Sequence, residues 1–268
     1  MSQNVNKSNT IFFEIKEAYR FRWVIYSFIT STLKMRYKRS VLGLVWTMLG
    51  PLLNYFVMGF VIAKVARFGS ENFLSNLLLG SLVFNFMSVS LNLGGMSLIQ
   101  NEHYIRKIYL PKLVFPVSSI GMEFVNFVLG FLGLVLVLLF LGGLHPGWEV
   151  LTIPFSFVLL FFFSLGLGSI LSVIYVFFRD LSHVVPILMQ AAFFLTPVIY
   201  PVEAIPERFL WLLKFNPFYH YVELIRGPLI KADLNLQSLL TATVLSISSL
   251  VLGLFILKKY ENKVVFKL

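Results

Sequence analysis

This chain of 268 residues has few ionisable side chains at positions where they could form a catalytic site. Glu123 is the only acidic residue well inside an apolar run, in the block at residues 113–144. An enzyme that works within a membrane needs ionisable groups at depth, because something must transfer protons or hold a metal. One isolated carboxylate forms neither an active site nor a proton relay. We therefore interpret Glu123 either as a substrate-path or coupling residue, or as a carboxylate that pairs with a neighbouring helix or reaches a wet cavity.

Metal and nucleotide sites are not expected either. The chain has no cysteine, and its four histidines, at positions 103, 145, 183 and 220, lie far apart in sequence. Residues 142–147 have the glycine spacing of a phosphate-binding loop, but Trp148 and Glu149 stand where lysine and serine or threonine are required. We predict no catalytic residue, no metal ligand and no cofactor in this chain. Any energy for transport must then come from a partner or from an ion gradient, and the lack of buried charges argues against the gradient.

The composition predicts an all-α polytopic membrane protein that forms one domain over residues 1–268. Hydrophobic residues make up 58% of the chain and charged residues only 13%, whereas soluble proteins carry about 25% charged residues. A helix that crosses the bilayer needs roughly 20 apolar residues. Six blocks are predicted as transmembrane helices, at residues 41–66, 73–99, 113–144, 151–178, 184–201 and 236–257.

Two further segments are predicted to lie at the membrane surface or to dip into it. At helical period, residues 11–34 place apolar side chains on one face and polar ones on the other, which is typical of an interface helix. The apolar face holds Ile15, Ala18, Phe21, Ile25, Phe28, Ile29 and Leu33, and the polar face Lys16, Arg20, Ser27, Ser31 and Lys34. The alternative, a poorly hydrophobic first span, is disfavoured by its charges. Residues 202–235 are interpreted as short amphipathic or re-entrant helices that rest against protein.

The polar island at residues 98–112 separates the second and third blocks, so it must lie in water on one side of the membrane. With six spans, most of the 22 lysine and arginine residues fall on the side that holds the island and both termini. The positive-inside rule therefore predicts that this side is cytoplasmic. The net charge of +10 is distributed in short clusters between apolar blocks, which is a topological pattern and not a nucleic-acid-binding one. The mixed charges and aromatic ends of the island suit docking to a soluble partner.

Several segments, taken in order, resemble one family. The run from Arg36 to Trp46, followed by Pro51, resembles the opening of bacterial ABC transporter permeases that export polysaccharides, a family of O-antigen, capsule and teichoic-acid exporters. Residues 97–111 are similar to that family's cytoplasmic coupling helix, and residues 178–180 to its turn before span five. Residues 196–200, 205–206 and 216–217 resemble the end of span five and the external re-entrant gate helices. The order and spacing of these segments, over nearly the whole chain, carry the resemblance.

The resemblance implies a homodimeric permease with two copies of a separate ATP-binding subunit, which carries the ATP and magnesium. The implied substrate is a lipid-linked glycan that moves from the cytoplasmic to the outer face of the bacterial plasma (inner) membrane. An O-antigen-like polysaccharide of lipopolysaccharide biosynthesis is the leading expectation, with teichoic acid or capsule as the alternative. Less expected are a drug or lipid permease of the same architecture, and a membrane-embedded glycosyltransferase or ligase, for which Glu123 alone is poor support.

The resemblance also suggests roles for particular residues. The expected contacts with the ATPase are Glu102, His103, Arg106 and Lys107, with Arg179 and Asp180 in a second, smaller contact; the alternative is that these are solvated loop charges. The expected contacts with the anionic linker of the lipid carrier are Arg20, Lys34, Arg36, Lys38 and Arg39, because cations near the headgroups attract phosphate. The basic run also serves the positive-inside rule. Candidates for the translocation path are Tyr55, Glu123, Phe194 and Tyr200, although most phenylalanines must face lipid or neighbouring helices.

Overall fold

The structure is a computed structural model that describes residues 11–38, 45, 49–50, 53, 56–57, 61, 73–200, 202 and 205–268. These residues form helices joined by turns, and no β-strand occurs among them. In chain order the α-helices are α1 (Ile11–Arg20), α2 (Arg22–Tyr37), α3 (Phe73–Gln100), α4 (Glu102–Lys107), α5 (Val114–Phe140), α6 (Ile153–Phe177), α7 (Leu181–Leu195), α8 (Leu210–Phe215), α9 (Pro217–Ile230) and α10 (Leu236–Lys267). Short 3₁₀ helices cover Trp148–Thr152 and Glu207–Phe209. Most of the predicted first span, with Arg39 and Tyr55, lies outside the described residues.

Helix α3 is the centre of the described fold. It packs against α5, α6, α7 and α9, and its large side chains are almost all buried in one apolar cluster. Small residues make this packing possible, because helices in a membrane associate through close backbone approach. A Cβ atom added to Gly94 would lie 3.0 Å from the Cα atom of Gly168 in α6. Gly94 therefore allows α3 to approach the backbone of α6 closely.

Helices α6 and α10 also approach each other closely. A Cβ atom on Gly166 would overlap the main chain of Ser249, and one on Gly253 would overlap Gly166. The hydroxyl of Ser246 in α10 donates to the carbonyl of Leu159 in α6 at 2.8 Å. Glycines and serines thus form the seam between these two helices.

Among the described residues, four helical stretches are long and apolar enough to cross a membrane: Phe73–Lys107, Val114–Phe140, Trp148–Phe177 and Leu236–Lys267. Their outer faces are apolar as well. On α10 the exposed stripe consists of Leu240, Val244, Ile247, Val251 and Phe255. A continuous apolar stripe of this kind suits lipid or another membrane helix and not water. The chain is therefore a multi-pass, all-helical membrane protein.

The helices differ in extent from the predicted blocks at α7 and α10. Helix α7 begins at Leu181 and ends at Leu195, before Thr196, whose extended backbone suits a residue that precedes proline. Its 15 residues span about 22 Å, which is less than the roughly 30 Å hydrocarbon core of a bilayer. Helix α10 continues to Lys267, well past the predicted end at residue 257. Lys258 and Glu261 form an ion pair at 3.3 Å within this extension.

Residues 202–235 contain the predicted short helices. The larger one, α9, is buried over most of its length, including Tyr221, Val222 and Ile225. The shorter one, α8, exposes Trp211 and Phe215 and buries only Leu213. Helix α9 therefore packs against the rest of the described protein, whereas α8 is mostly exposed.

Candidate functional site

The polar island folds as a short helix with an apolar underside and a charged outer side. Helix α3 ends at Gln100, α4 covers Glu102–Lys107, and the chain is extended again at Ile108. Ile105 is buried in a small apolar cluster with Leu98 and Leu113. On the outer side the guanidinium of Arg106 lies 2.7 Å from the carboxylate of Glu102. This arrangement fixes α4 to the protein while its charges remain available to another molecule.

The end of α10 supports α4 from the side. The guanidinium of Arg106 donates to the main-chain oxygen of Leu268, and the Leu268 side chain is buried in the same cluster as Ile105. Arg106 thus holds Glu102 within α4 and the end of α10 at the same time. The position of α10 is therefore linked to the position of α4.

The second predicted contact, at Arg179 and Asp180, is brought to the same region. Both residues are exposed and line a surface cleft of about 680 Å³ with Lys267. The cleft lies between the end of α6, the start of α7 and the end of α10. Because Lys267 and Leu268 are adjacent, the end of α10 lies beside both α4 and this turn. We refer to α4, residues 178–181 and the end of α10 as the polar surface.

Helices α1 and α2 border the polar surface. The hydroxyl of Tyr109 donates to the carboxylate of Glu17 in α1 at 3.1 Å, and the ring of Phe28 in α2 meets that of Tyr104 with centroids 5.4 Å apart. Ala18 is buried in the cluster that contains Ile105. Predicted apolar residues such as Phe28 and Ile29 are partly covered, whereas the predicted polar residues are exposed or half-buried. From Lys16 onward the predicted apolar and polar faces therefore differ in exposure, but the single helix predicted over 11–34 is divided at Phe21 into α1 and α2.

The predicted linker contacts lie on this pair of helices. Arg20 at the end of α1 and Lys34 and Lys38 at the end of α2 are exposed. Arg36 is engaged: its guanidinium lies 3.8 Å from the carboxylate of Glu123 in α5. We refer to these cations on α1 and α2 as the basic edge; one of them, Arg36, contacts the acid that lies within the third apolar block.

Glu123 is buried and takes part in a small polar group. Its side chain accepts a hydrogen bond from the Asn126 amide at 3.1 Å, in addition to the Arg36 contact. The alternative in which Glu123 pairs with a neighbouring helix therefore describes its observed contacts. Of the other path candidates, Phe194 is exposed, and the hydroxyl of Tyr200 donates to the Phe194 carbonyl at 2.9 Å. The role of these residues in a path remains a prediction.

A buried polar network on α9 was not predicted from the sequence. Asn216 caps α9 by accepting from the amides of Phe218 and Tyr219, and its own amide donates to Thr196 at 3.0 Å. Arg226 donates to the carbonyl of Pro197 at 3.0 Å and pairs with Glu223 at 3.1 Å. Both Asn216 and Arg226 thus tie α9 to the end of α7. The Asn-Pro pair that opens α9 was a readable capping signal.

His220 and Tyr221 join the same network to α10. The His220 ring is 3.1 Å from the Lys214 carbonyl through Nε2 and 3.1 Å from the Ser238 hydroxyl through Nδ1. Since a carbonyl can only accept, Nε2 carries the proton. The Tyr221 hydroxyl donates to the Ala242 carbonyl at 3.0 Å. His220 and Tyr221 therefore have structural partners in α10 and in the segment that precedes α9.

Comparisons with known proteins show which sequences this chain is similar to. A family model described as "ABC-2 type transporter" matches residues 24–230. The chain is 35% identical over 205 residues to the O-antigen export system permease protein RfbA of Myxococcus xanthus, covering 76% of this chain and 78% of the relative. It is 30% identical over 232 residues to the protein of the same name from Klebsiella pneumoniae, covering 86% and 89%. It is 24% identical over 199 residues to the polysialic acid transport protein KpsM of Escherichia coli, covering 72% and 76%.

Proposed function

The chain belongs to the ABC-2 type transporter family, and from this membership we propose that it is the permease subunit of an ATP-driven exporter of lipid-linked polysaccharide. Within this family such a chain is the transmembrane component and is not the catalytic one. The family implies an ATP-binding partner subunit. We assign ATP and magnesium to that partner.

The proposal rests on the structure of the polar surface, in which α4 is buried on one side and charged on the other. A short helix with a buried underside and a charged outer side can transmit force, because it is held rigidly while it presents contacts to a soluble protein. We propose that Glu102, His103, Arg106 and Lys107 contact the ATPase, and that Arg179 and Asp180 form a smaller contact. The end of α10, which lies beside both, would then move with them.

The remaining architecture follows from the same proposal. The four candidate spans, the block at 41–66 and α7 would give six crossings, with both termini and the polar surface in the cytoplasm and the chain in the bacterial inner membrane. Helices α1 and α2 would form the interface helix, and α8 and α9 the external gate helices. The exposed apolar stripe on α10 leaves a face for lipid or for a second copy of the chain. We propose a homodimer with two ATPase copies.

The names of the relatives indicate the substrate class. Two of the proteins compared above are named as O-antigen export permeases, so an O-antigen-like, lipid-linked glycan is the proposed cargo. Capsular polysaccharide is the second candidate, because another relative is named as a polysialic acid transport protein. Teichoic acid belongs to the same group of polyanionic or lipid-linked glycans.

The basic edge and the aromatic residues have proposed roles in handling this cargo. Arg20, Lys34, Arg36, Lys38 and Arg39 would attract the phosphate groups of the lipid carrier at the membrane surface. Tyr55, Phe194 and Tyr200 would offer ring faces to sugars along the path, with Glu123 close to the point of entry. Phe194 has an exposed ring, and its main-chain carbonyl accepts a hydrogen bond from the Tyr200 hydroxyl, which supports a common location for these two.

Reconstitution tests the proposed function. The chain is inserted into liposomes with its ATP-binding subunit and a lipid-linked glycan, and glycan that reaches the opposite leaflet is detected by an added glycan-binding protein. ATP-dependent exposure of the glycan only when both subunits are present is the expected result. Transfer of sugar to an acceptor by this chain alone, without the ATPase, would instead assign it to the glycosyltransferase or ligase class.

A further inference from the structure

An ion pair joins the end of α2 to the buried part of α5. The Nη1 atom of Arg36 lies 3.8 Å from the Oε2 atom of Glu123. The partners differ in exposure, since the Arg36 side chain is 51% exposed and the Glu123 side chain 12%. The arginine can therefore meet other anions, whereas the carboxylate is confined to the protein.

Glu123 depends on Arg36 for charge compensation. Its hydrogen-bond donor is the neutral amide of Asn126, which donates to the same carboxylate oxygen at 3.1 Å. The Asn126 side chain is 7% exposed, and its Oδ1 atom has no hydrogen-bond partner. The buried polar pair is thus incompletely satisfied, and a buried carboxylate that loses its cation is strongly disfavoured. Among the described residues, Arg36 is therefore the cation that is paired with this carboxylate.

Helices α2 and α5 contact each other along their lengths, and residue numbers increase in the same direction along both. Phe28 meets Phe115 with ring centroids 6.2 Å apart, Ile29 lies against Gly121, and Arg36 lies against Glu123. Helix α2 therefore runs beside the first turns of α5 and ends at the ion pair. Release of Arg36 would loosen this end of α2 first.

The space beside this contact is not filled by apolar side chains. A cleft of about 290 Å³ opens between α2, α3 and the start of α5. Its lining includes the polar side chains of Thr32, Gln100, Asn101, Ser118 and Ser119. Since separation of α2 from α5 at this point exposes polar groups, it costs less than the opening of an apolar seam.

We propose that Arg36 exchanges between Glu123 and the phosphate groups of an anionic lipid, so that lipid binding releases the end of α2 from α5. A phosphate can accept two parallel hydrogen bonds from a guanidinium, which the carboxylate at 3.8 Å does not do. The inference rests on the proposed function only in taking the membrane surface at α2 as the place where a lipid-linked anion arrives. We call this ion pair the latch, because it holds the end of α2 against α5 until a lipid-linked anion binds to Arg36.

Binding measurements on paired variants test the exchange. The complex with its ATPase is placed in nanodiscs of phosphatidylcholine, and binding of farnesyl pyrophosphate is measured by native mass spectrometry. Glu123→Gln keeps the shape and the amide contact but removes the competing charge, so affinity should rise by about fivefold, a coupling of ordinary size. Arg36→Gln should lower affinity by a similar factor, and the double variant should behave like Arg36→Gln alone. Lys16→Gln, on the exposed side of α1, is the charge-matched control and should change affinity less than twofold.

The same experiment identifies the source of the anion. Replacement of part of the phosphatidylcholine by phosphatidylglycerol offers ordinary headgroup phosphates at high density. If these headgroups abolish the effect of Glu123→Gln on pyrophosphate binding, the exchange is supported with the bulk lipid as the anion. If the effect persists, the exchange is supported with the pyrophosphate carrier as the anion.

A cysteine pair reports the movement itself. Because the chain has no cysteine, Ile29→Cys with Gly121→Cys introduces one defined pair across the α2–α5 contact. Farnesyl pyrophosphate should slow oxidative cross-linking of this pair about fivefold, and Arg36→Gln should abolish that response. An unchanged affinity in Glu123→Gln together with an unchanged cross-linking rate would overturn the latch. That result would leave the export function standing, because glycan translocation is measured separately.

Discussion

The side-chain amide of Asn216 makes contacts at both of its ends. Its oxygen accepts from the first amides of α9, and its nitrogen donates to Thr196 after α7. Asn235 makes only the capping contact: its side-chain oxygen accepts from the amide of Ser238 at the start of α10. A helix cap contributes about 1 kcal/mol, and a further hydrogen bond contributes a similar amount. The two asparagines therefore allow the tether to be separated from the cap.

Replacement of Asn216 by alanine should destabilise the protein more than replacement of Asn235 by alanine. The expected difference is about 1 kcal/mol, because Asn216→Ala removes the cap and the bond to Thr196, and Asn235→Ala removes a cap alone. Thermal unfolding of the two variants in the same detergent measures it. Equal transition temperatures would mean that the contact between α9 and the end of α7 contributes nothing to stability.

Charge reversal on α4 addresses the proposed ATPase contact. Lys107 is exposed at the end of α4 and makes none of the contacts by which Arg106 holds α10. Lys107→Glu should therefore lower ATPase activity of the assembled complex by about threefold or more while the protein remains folded, since contacts between opposite charges set association. Lys214→Glu, in the segment predicted to be external, is the control with an equal change of charge. Loss of activity in the control, or full activity in Lys107→Glu, would exclude the assignment.

Helix α2 contacts two other helices, α4 and α5. Phe28 lies against both Tyr104 of α4 and Phe115 of α5, so α2 joins the polar surface to a membrane-spanning helix. A helix in this position can transmit a movement of the polar surface to α5. Ser27, the preceding residue, is exposed.

An acidic residue at position 28 should detach α2. Phe28→Asp, or Ile25→Asp on the same face, places a charge against apolar surface and removes ring contacts, at a cost of about 3 kcal/mol for position 28. Hydrogen–deuterium exchange of α2 should rise in these variants and remain unchanged in Ser27→Asp. Protection of α2 in Phe28→Asp would contradict the packing described for it.

The sequence allowed the helical elements to be predicted more fully than their contacts. Apolar block lengths indicated α3, α5, α6 and α10, and periodicity indicated the faces of α1 and α2. Helices α7 and α10 have other bounds than the apolar blocks, because a helix ends where capping and tertiary contacts allow and not where hydropathy falls. The bond between Arg106 and Leu268 joins residues separated by 162 positions, and the Arg36–Glu123 pair also depends on tertiary packing. Such pairings have no periodic signature in one sequence.

At the scale of the whole molecule, the described helices form one body with two distinct polar regions. The polar surface joins α4, the turn at 178–181 and the end of α10, whereas the network on α9 ties α7, α9 and α10 together. Helix α10 takes part in both and packs along α6 between them. Helix α10 is thus one continuous helix that contacts both the polar surface and α9.

Position-specific cross-linking to the ATPase tests this account most directly. Cysteine is introduced at Lys107 in one variant and at Arg208, beside α8, in another, in a chain that otherwise has no cysteine. Both variants are assembled with the ATP-binding subunit in membrane vesicles and treated with a short cross-linker. The account predicts that position 107 is cross-linked to the ATPase, that the link blocks glycan translocation, and that position 208 is not cross-linked. Cross-linking at position 208 but not at position 107, in an active complex, would contradict it.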